Sequence, residues 1–332
     1  MSRFALLTAL SSLALLAACG GGEPDTTDVE TGGDDSAMVD AEMATENGLA
    51  PQDPADSSAT EGTLEWAVAG DWRGGDTARD VWRHPQETLE FFEIDPSGTI
   101  VEIWPGGGWY ARILAPWIAA NGGTYIGATF PESSPSEARR EARANFLAEM
   151  ASNPVYGQVQ AGDFSADVAN IAPAGSVDAV LTFRNVHNWM SGGFAERAFA
   201  DFYTVLRPGG VLGVVEHRLP DTREQDPRAS TGYVQEAYII ALAEEAGFEL
   251  VGRSDVNANP ADTADHPFGV WTLPPVSRTS PFGEPEDPAF DREPYDAIGE
   301  SDRMTLLFRK PLRDNTPSDA EEDAGGDAGE EG

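Results

Sequence analysis

From Thr99 onward, short apolar runs alternate with longer stretches whose apolar residues recur at helical spacing. "TIVEIW" (Thr99–Trp104) predicts a first buried strand, and "WYARILAPWIAANG" a helix ending near Gly122. "TYIGATF" (Thr124–Phe130) predicts a second strand. The helix in "SPSEARREARANFLAEMASN" has Ser136 at its N-cap, where a seryl oxygen can accept from an unpaired amide of the first turn. "YGQVQ" (Tyr156–Gln160) predicts a third strand, and "SVDAVLTF" (Ser176–Phe183) a fourth, apolar enough to be covered on both faces. "GFAERAFADFYTVL" reads as a helix stopped by Arg207-Pro208-Gly209-Gly210, and "VLGVVE" (Val211–Glu216) as a fifth strand. "STGYVQEAYIIALAEEA" is a helix closed by Gly247, followed by late strands in "FELVGRS" and "RMTLLFRK". The alternation predicts an α/β fold, a mostly parallel sheet with helices on both faces. Ligands of such sheets bind at the carboxyl ends of the strands, where strand order reverses.

Residues 63–312 are enough for one domain of this kind. Ahead of the first strand, Pro85 in "RDVWRHPQETLEFF" marks a helix start. Residues 255–302 form an irregular stretch rich in Pro, Asp and aromatic residues. A segment that long without regular structure is usually functional or disordered. A lid over a pocket and a proline-stiffened surface insertion are both open.

The chain carries a formal net charge of −36, and its distribution changes the picture more than its size. Residues 20–62 hold twelve acids and no Lys or Arg among many Gly, Thr, Ser and Ala, which predicts a disordered, self-repelling tether across 19–62. Residues 313–332, with eight acids and one base, predict a similar tail. The domain between them is still acidic, which argues against nucleic acid as a partner. It also argues against direct adhesion to an anionic lipid surface. Such charge bears on solubility rather than on chemistry.

The first residues set the compartment. "MSRFALLTALSSLALLAAC" has one cation, Arg3, and an apolar run from Phe4 to Ala18, short for a membrane span and suited to an export signal. Leu16-Ala17-Ala18-Cys19 resembles the cleavage box of bacterial lipoproteins. The resemblance implies removal of residues 1–18, acylation of Cys19, and a periplasmic protein whose one membrane contact is that lipid. Gly20, where inner-membrane lipoproteins carry Asp, implies the outer membrane. Cys19 is the only cysteine, so no disulfide supports the fold.

"VEIWPGGGWYARILAP" (Val101–Pro116) joins the first strand to the next helix through three glycines. Three ligand types use a glycine-rich turn at this place. The phosphate P-loop needs Gly-Lys-Ser/Thr at its end, which is absent. The dinucleotide fingerprint is matched by Gly106, Gly108 and Ala111. The third is S-adenosylmethionine, for which an acid at the end of the first strand precedes the glycines; Glu102 stands there.

The rest of the chain separates the last two. "VLRPGGVLGVVE" (Val205–Glu216) resembles the helix–turn–strand element of the Rossmann-like (class I) S-adenosylmethionine-dependent methyltransferases. "QAGDF" (Gln160–Phe164) resembles their third-strand element and "AVLTFRNVHNWM" (Ala179–Met190) their fourth, its Phe-Arg-Asn-Val being similar to that of the quinone C-methyltransferases. These elements fall in the family's order over residues 99–253. The resemblance implies a seven-stranded sheet and S-adenosylmethionine as cofactor. It implies that Gly106, Gly107 and Gly108 let the backbone approach the methionine part, and that Glu102 orients the turn. Asp163 would accept from the adenine amino group with Phe164 beside the ring, and Asn185 would lie near the sulfonium. The sequence departs from the pattern twice. Trp104 replaces the first glycine, and Thr129 replaces the acid that grips the ribose, with Glu132 one turn on.

Methyl transfer to a hydroxyl or an acidic carbon is helped by a base. His187, just past the fourth strand, is the first candidate, with Asn188 and Trp189 as the wall. His217 and Arg218 follow the fifth strand; Arg218 and Arg184 suit either an anionic substrate or local acids. His84 reads as structural, and His266 reaches a pocket only if residues 255–302 fold over it. The four histidines show no metal-ligand spacing, so no metal is expected. Trp104, Trp109 and Trp189 flank the expected site, where an aromatic face attracts a sulfonium. The reading is a methyltransferase acting on a small molecule. Its rival is a catalytically silent binding lipoprotein that uses the same cleft, since the cofactor is made in the cytoplasm. The sequence does not fix an oligomeric state.

Overall fold

The structure, a computed structural model, describes residues 59–312. The export segment, Cys19, most of the tether and the tail lie outside the described residues. Ahead of the sheet come α1 (Leu64–Val68), a kinked 3-10 segment (Asp71–Arg79), α2 (Asp80–Arg83) and α3 (Pro85–Phe91). Pro85 does start a helix: its fixed φ suits the first position, and His84 before it turns the chain at φ 38°.

The alternating region follows as β1 (Thr99–Ile103), α4 (Ala111–Ala120), β2 (Thr124–Thr129), α5 (Glu137–Ser152), β3 (Gln160–Phe164), β4 (Ala169–Asn170) and β5 (Val177–Phe183). It continues through α6 (Val186–Ser191), α7 (Ala195–Val205), β6 (Leu206–His217), α8 (Glu236–Glu245), β7 (Glu249–Ser254), β8 (Pro267–Val270), α9 (Glu293–Ile298) and β9 (Arg303–Arg309). The sheet order is β4-β3-β2-β1-β5-β6-β9-β7. β3, β2, β1, β5 and β6 run parallel, and β9 lies antiparallel between β6 and β7. The sheet therefore has eight strands, not seven. The extra one is the two-residue β4, which pairs antiparallel with β3.

Ser136 caps α5 as expected, accepting from the Arg139 amide. Three boundaries differ from the pattern. The third strand begins at Gln160, where the sequence predicted its end, because Asn153-Pro154 starts a 3-10 turn and Gly157 reverses the chain at φ 64°. β6 runs back to Leu206, so the Arg-Pro-Gly-Gly stretch lies within the strand and its pairing with β5 shifts there. α8 starts at Glu236, because Val234 bonds to His217 instead of joining the helix.

Both faces of the sheet are covered, as the strand composition requires. On one, Val101 and Ile103 of β1 pack with Trp189, Phe199, Phe202 and Ile239 from α6, α7 and α8. On the other, Ile100 packs with Leu89, Ile113 and Leu114 from α3 and α4. Strand order reverses between β1 and β5, so the carboxyl ends of those two strands open a crevice. Residues 255–302 fold toward that end, and Val270–Val276 reaches the crevice.

Candidate active site

A cavity of about 370 Å³ opens at the carboxyl ends of β1, β2, β5 and β6, within the roughly 300–1,000 Å³ usual for small-molecule sites. One end lies against the glycine turn and α5, and the other against the histidines past β5 and β6. Trp271, Leu273, Pro274, Pro275 and Val276 form an apolar wall, so the irregular segment serves as a cover.

The glycine turn is held from outside. Gly106 and Gly108 adopt φ 58° and 82°, which a side chain would strain. Arg112 of α4 donates to the Gly107 carbonyl at 2.8 Å and pairs with Asp76 at 2.6 Å and Glu149 at 2.7 Å. Glu102 is buried at the end of β1 and accepts from the Tyr125 hydroxyl at 2.6 Å. Burial first, and then Glu102, push the Tyr125 hydroxyl well above its ordinary pKa, so it remains a donor. Asn185 donates to the Ile103 carbonyl at 2.9 Å and to Thr182 at 3.2 Å, tying the tips of β1 and β5 together.

At the other end, Glu216 is fully buried and surrounded by donors. The amides of Val186, His187 and His217 reach it at 2.6, 3.4 and 2.8 Å. His187 Nδ1 lies 3.0 Å from its Oε1. Because a carboxylate accepting amide bonds needs a donor there too, Nδ1 carries the proton. Nε2 is then the basic nitrogen, on a residue that lines the cavity. His217 places Nδ1 2.6 Å from the Ser301 hydroxyl. Burial, then His187, Arg303 and Arg184, hold His217 well below its ordinary pKa, so it is neutral.

His187, Glu216 and His217 have ligand atoms within 4.8 Å of one another, a grouping hidden from sequence spacing because β5 and β6 meet only in the fold. Metal chemistry fits them poorly. The Glu216 oxygens already accept four N–H groups, and two guanidiniums bear on His217.

Of the residues expected to hold a cofactor, Glu102, Gly106, Gly107, Thr129 and Asn185 line the cavity, while Gly108, Asp163 and Phe164 do not. Trp104 is the reason for the last two. Its backbone sits at φ 48°, and its indole Nε1 donates to the Phe164 carbonyl at 3.0 Å. The ring lies 4.7 Å from Phe130, 5.8 Å from Phe164 and 6.2 Å from Phe194. An adenine reaching from the glycine turn to the tip of β3 would need that space. Asp163 is engaged instead by Arg143 of α5, whose Nη1 lies 2.9 Å from Oδ1, though out of hydrogen-bond alignment. The same nitrogen donates to the Phe130 and Gly162 carbonyls at 3.0 and 3.2 Å and lies 3.4 Å from Thr129 Oγ1. Glu102, Gly106, Gly107 and Asn185 therefore share one cavity, while Trp104 and Arg143 stand between it and the tip of β3.

The catalytic candidates Arg184, His187, Asn188 and His217 all line the cavity, and Asn188 Oδ1 has no protein partner. Arg218 lies off the cavity, paired with Asp255 at 3.0 Å. His84 and His266 are off the cavity too, His266 bonding to Asp262 at 2.8 Å. The sequence reading missed Glu216, although an acid closing an apolar strand was a usable signal. It also missed Arg143, which shares helical spacing with the buried Phe146 and Met150 and so sits on the apolar face of α5.

No family model matches this chain, and no curated protein does. Among solved structures, the cyclase SpnF is similar at 18% identity over 70% of this chain and 81% of its own, with a TM-score of 0.45. A SAM-dependent methyltransferase from Aquifex aeolicus is similar at 14% identity, over 54% of this chain and 87% of its own, with a TM-score of 0.43. CrArsM, an arsenic(III) S-adenosylmethionine methyltransferase from Chlamydomonas reinhardtii, is similar at 16% identity over 65% and 64%, with a TM-score of 0.36. Likeness at this level adds nothing to the strand order described above.

Proposed function

We propose that this cleft is the active site of an S-adenosylmethionine-dependent methyltransferase acting on a small molecule. The observation that carries the reading is the Glu216-held imidazole of His187, set in one cavity with an acid-tipped strand and a glycine turn. Glu102, Gly106, Gly107 and Asn185 would hold the methionine end, where buried carboxylate and bare peptide suit an ammonium and a close-lying chain. The cofactor, when bound, supplies an electrophilic methyl group on a cationic sulfur. The nucleoside end fits only once the Trp104 indole turns out of its place against Phe130.

The protein's own task is then to position and to take a proton. His187 Nε2 accepts a proton from the acceptor, and Glu216 stabilises the imidazolium that forms; such assistance is worth roughly 10²–10⁴-fold. Asn188, which lines the same cavity, would orient the acceptor through its amide. The segment Val270–Val276 keeps bulk water off the reacting atoms. The test is formation of S-adenosylhomocysteine from S-adenosylmethionine across a panel of small acceptors. His187→Gln should lower the rate at least about 100-fold; turnover at the wild-type rate in that variant would remove His187 from this role.

A second reading, a binding lipoprotein without turnover, is favoured by Trp104 and Arg143 filling the nucleoside half. It predicts no affinity for either sulfur nucleoside. Under both readings we propose that the mature protein is exported and lipid-anchored through Cys19.

A further inference from the structure

We infer that the small molecule taken at the histidine end of the cavity is a flat, weakly acidic hydroxyl compound, a phenol or an enol, bound as its anion. The inference gives the acceptor of the proposed methyl transfer a chemical class. It rests on the base, the buried charge and the aromatic walls at that end of the cavity.

The first observation is the base. His187 lines the cavity and is held in one tautomer by Glu216, which leaves its Nε2 unprotonated. A substrate already present as a carboxylate would leave that base without a proton to take. A hydroxyl gives it one.

The second observation is the sign of the charge beneath the floor. Glu300 is buried and faces three guanidiniums at once: Arg79 at 2.7 Å, Arg83 at 3.0 Å, and Arg303 in direct contact. One carboxylate cannot balance three cations. Buried Nη1 and Nη2 of Arg83 and Nη2 of Arg79 have no hydrogen-bond partner. Burial pushes the Glu300 carboxyl up, yet Arg303, Arg79 and Arg184 together hold it below its ordinary range. Arg303 and Arg184 themselves line the cavity, and both act on the neighbouring His217. A positive surplus of this kind favours an oxyanion and repels an ammonium. Amine acceptors are therefore disfavoured on the same ground.

The third observation is shape. Tyr110 and Phe183, both lining the cavity, stack at 3.5 Å with an interplanar angle of 10°. Trp271 stands edge-on to His187 at 6.1 Å from the cover side. Aromatic surfaces of this kind favour a planar ring or a conjugated enol.

On binding, the acceptor O–H bond breaks and an N–H bond forms at His187 Nε2. The electron pair stays on oxygen as the anion. The imidazolium is held by Glu216 and the oxyanion by the guanidinium surplus. No further reactant is needed for this step.

The test uses 4-nitrophenol, whose anion absorbs visible light, with the full-length protein and no nucleoside present. It is titrated one pH unit below its own pKa. The expected result is a saturable phenolate band, with an ionised-to-neutral ratio in the bound probe at least ten-fold above that in free solution. 4-Nitroanisole, which has no proton to lose, should bind at least ten-fold more weakly. His187→Gln, which keeps a donor toward Glu216, should still bind the probe but without the band. A bound probe with the spectrum of the neutral phenol would overturn the inference. So would an unchanged band in the His187→Gln protein, or no binding at millimolar probe. Titration of the same preparation with S-adenosylhomocysteine separates the two ideas. Nucleoside binding without probe ionisation sinks only the acceptor class, and probe ionisation without nucleoside binding sinks only the methyl-transfer reading.

Discussion

Replacing Trp104 with glycine puts the fit of the nucleoside end to the test. In the present structure the indole must leave before an adenine can lie between Phe130 and the tip of β3. Leaving breaks one partly buried hydrogen bond, to the Phe164 carbonyl at 3.0 Å, worth about 1 kcal/mol. It also separates the ring from Phe130 at 4.7 Å and Phe164 at 5.8 Å, contacts worth about 0.5–1 kcal/mol each. The hold is thus about 2–3 kcal/mol, and apparent affinity is reduced by the fraction of molecules in the open state, about 30- to 140-fold. Trp104→Gly removes that penalty and should tighten S-adenosylhomocysteine binding by the same factor in a calorimetric titration. The fold should survive. Trp104 is partly exposed, and glycine relieves about 1 kcal/mol of left-handed strain at φ 48°. That offsets part of the lost packing, leaving a net cost of about 1–2 kcal/mol. Equal or weaker binding by the variant would refute the reasoning, because it would place the indole outside the nucleoside's path.

Other outcomes follow from the same geometry. His217 is neutral when folded because its pKa lies well below the ordinary 6.5. As pH falls below about 6.5, the unfolded chain gains a proton that the folded one refuses, so stability should fall, by at most about 1.4 kcal/mol per pH unit. Thermal melts between pH 7 and 5 should show a shallower loss for His217→Gln than for wild type; identical slopes would dismiss His217 as the cause. Glu300→Gln leaves the buried guanidiniums of Arg83 and Arg303, and the half-buried one of Arg79, without their carboxylate and should cost about 3–5 kcal/mol in chemical denaturation. In cells fed labelled palmitate, the protein should take up label, and Cys19→Ala should take up none; label retained by the variant would contradict anchoring at that residue.

The strands and the site were not equally legible in the sequence. Buried parallel strands announce themselves because both faces must be apolar, so β1, β2, β5 and β6 were readable from composition alone. β3 was misplaced because its first residues, Gln160 and Ala161, are exposed and carry no apolar signal, while Val155 and Tyr156 nearby do. The glycine turn and His187 were visible because they punctuate strand ends. Glu216 was not, since its significance depends on β5 and β6 being neighbours, which brings the Val186 and His187 amides to it. The pairing of Asp163 with Arg143 was equally hidden. Asp163 alone matched a familiar element, but the cation that occupies it comes from a helix twenty residues earlier in the chain. Trp104 could be seen as a departure. Which way its ring turns was decided by the aromatic cluster of Phe130, Phe164 and Phe194, drawn from three separate segments.

The central claim is that bare peptide beyond Glu102 receives an adenosyl sulfur compound. Calorimetric titration of the full-length protein with S-adenosylhomocysteine, beside NAD and a Gly106→Leu variant, tests it most directly. The account predicts saturable binding of one nucleoside per chain, none of NAD, and loss of the heat in Gly106→Leu, whose side chain would occupy a turn held at φ 58°. Absence of any heat at millimolar nucleoside, or undiminished affinity in the variant, would contradict it.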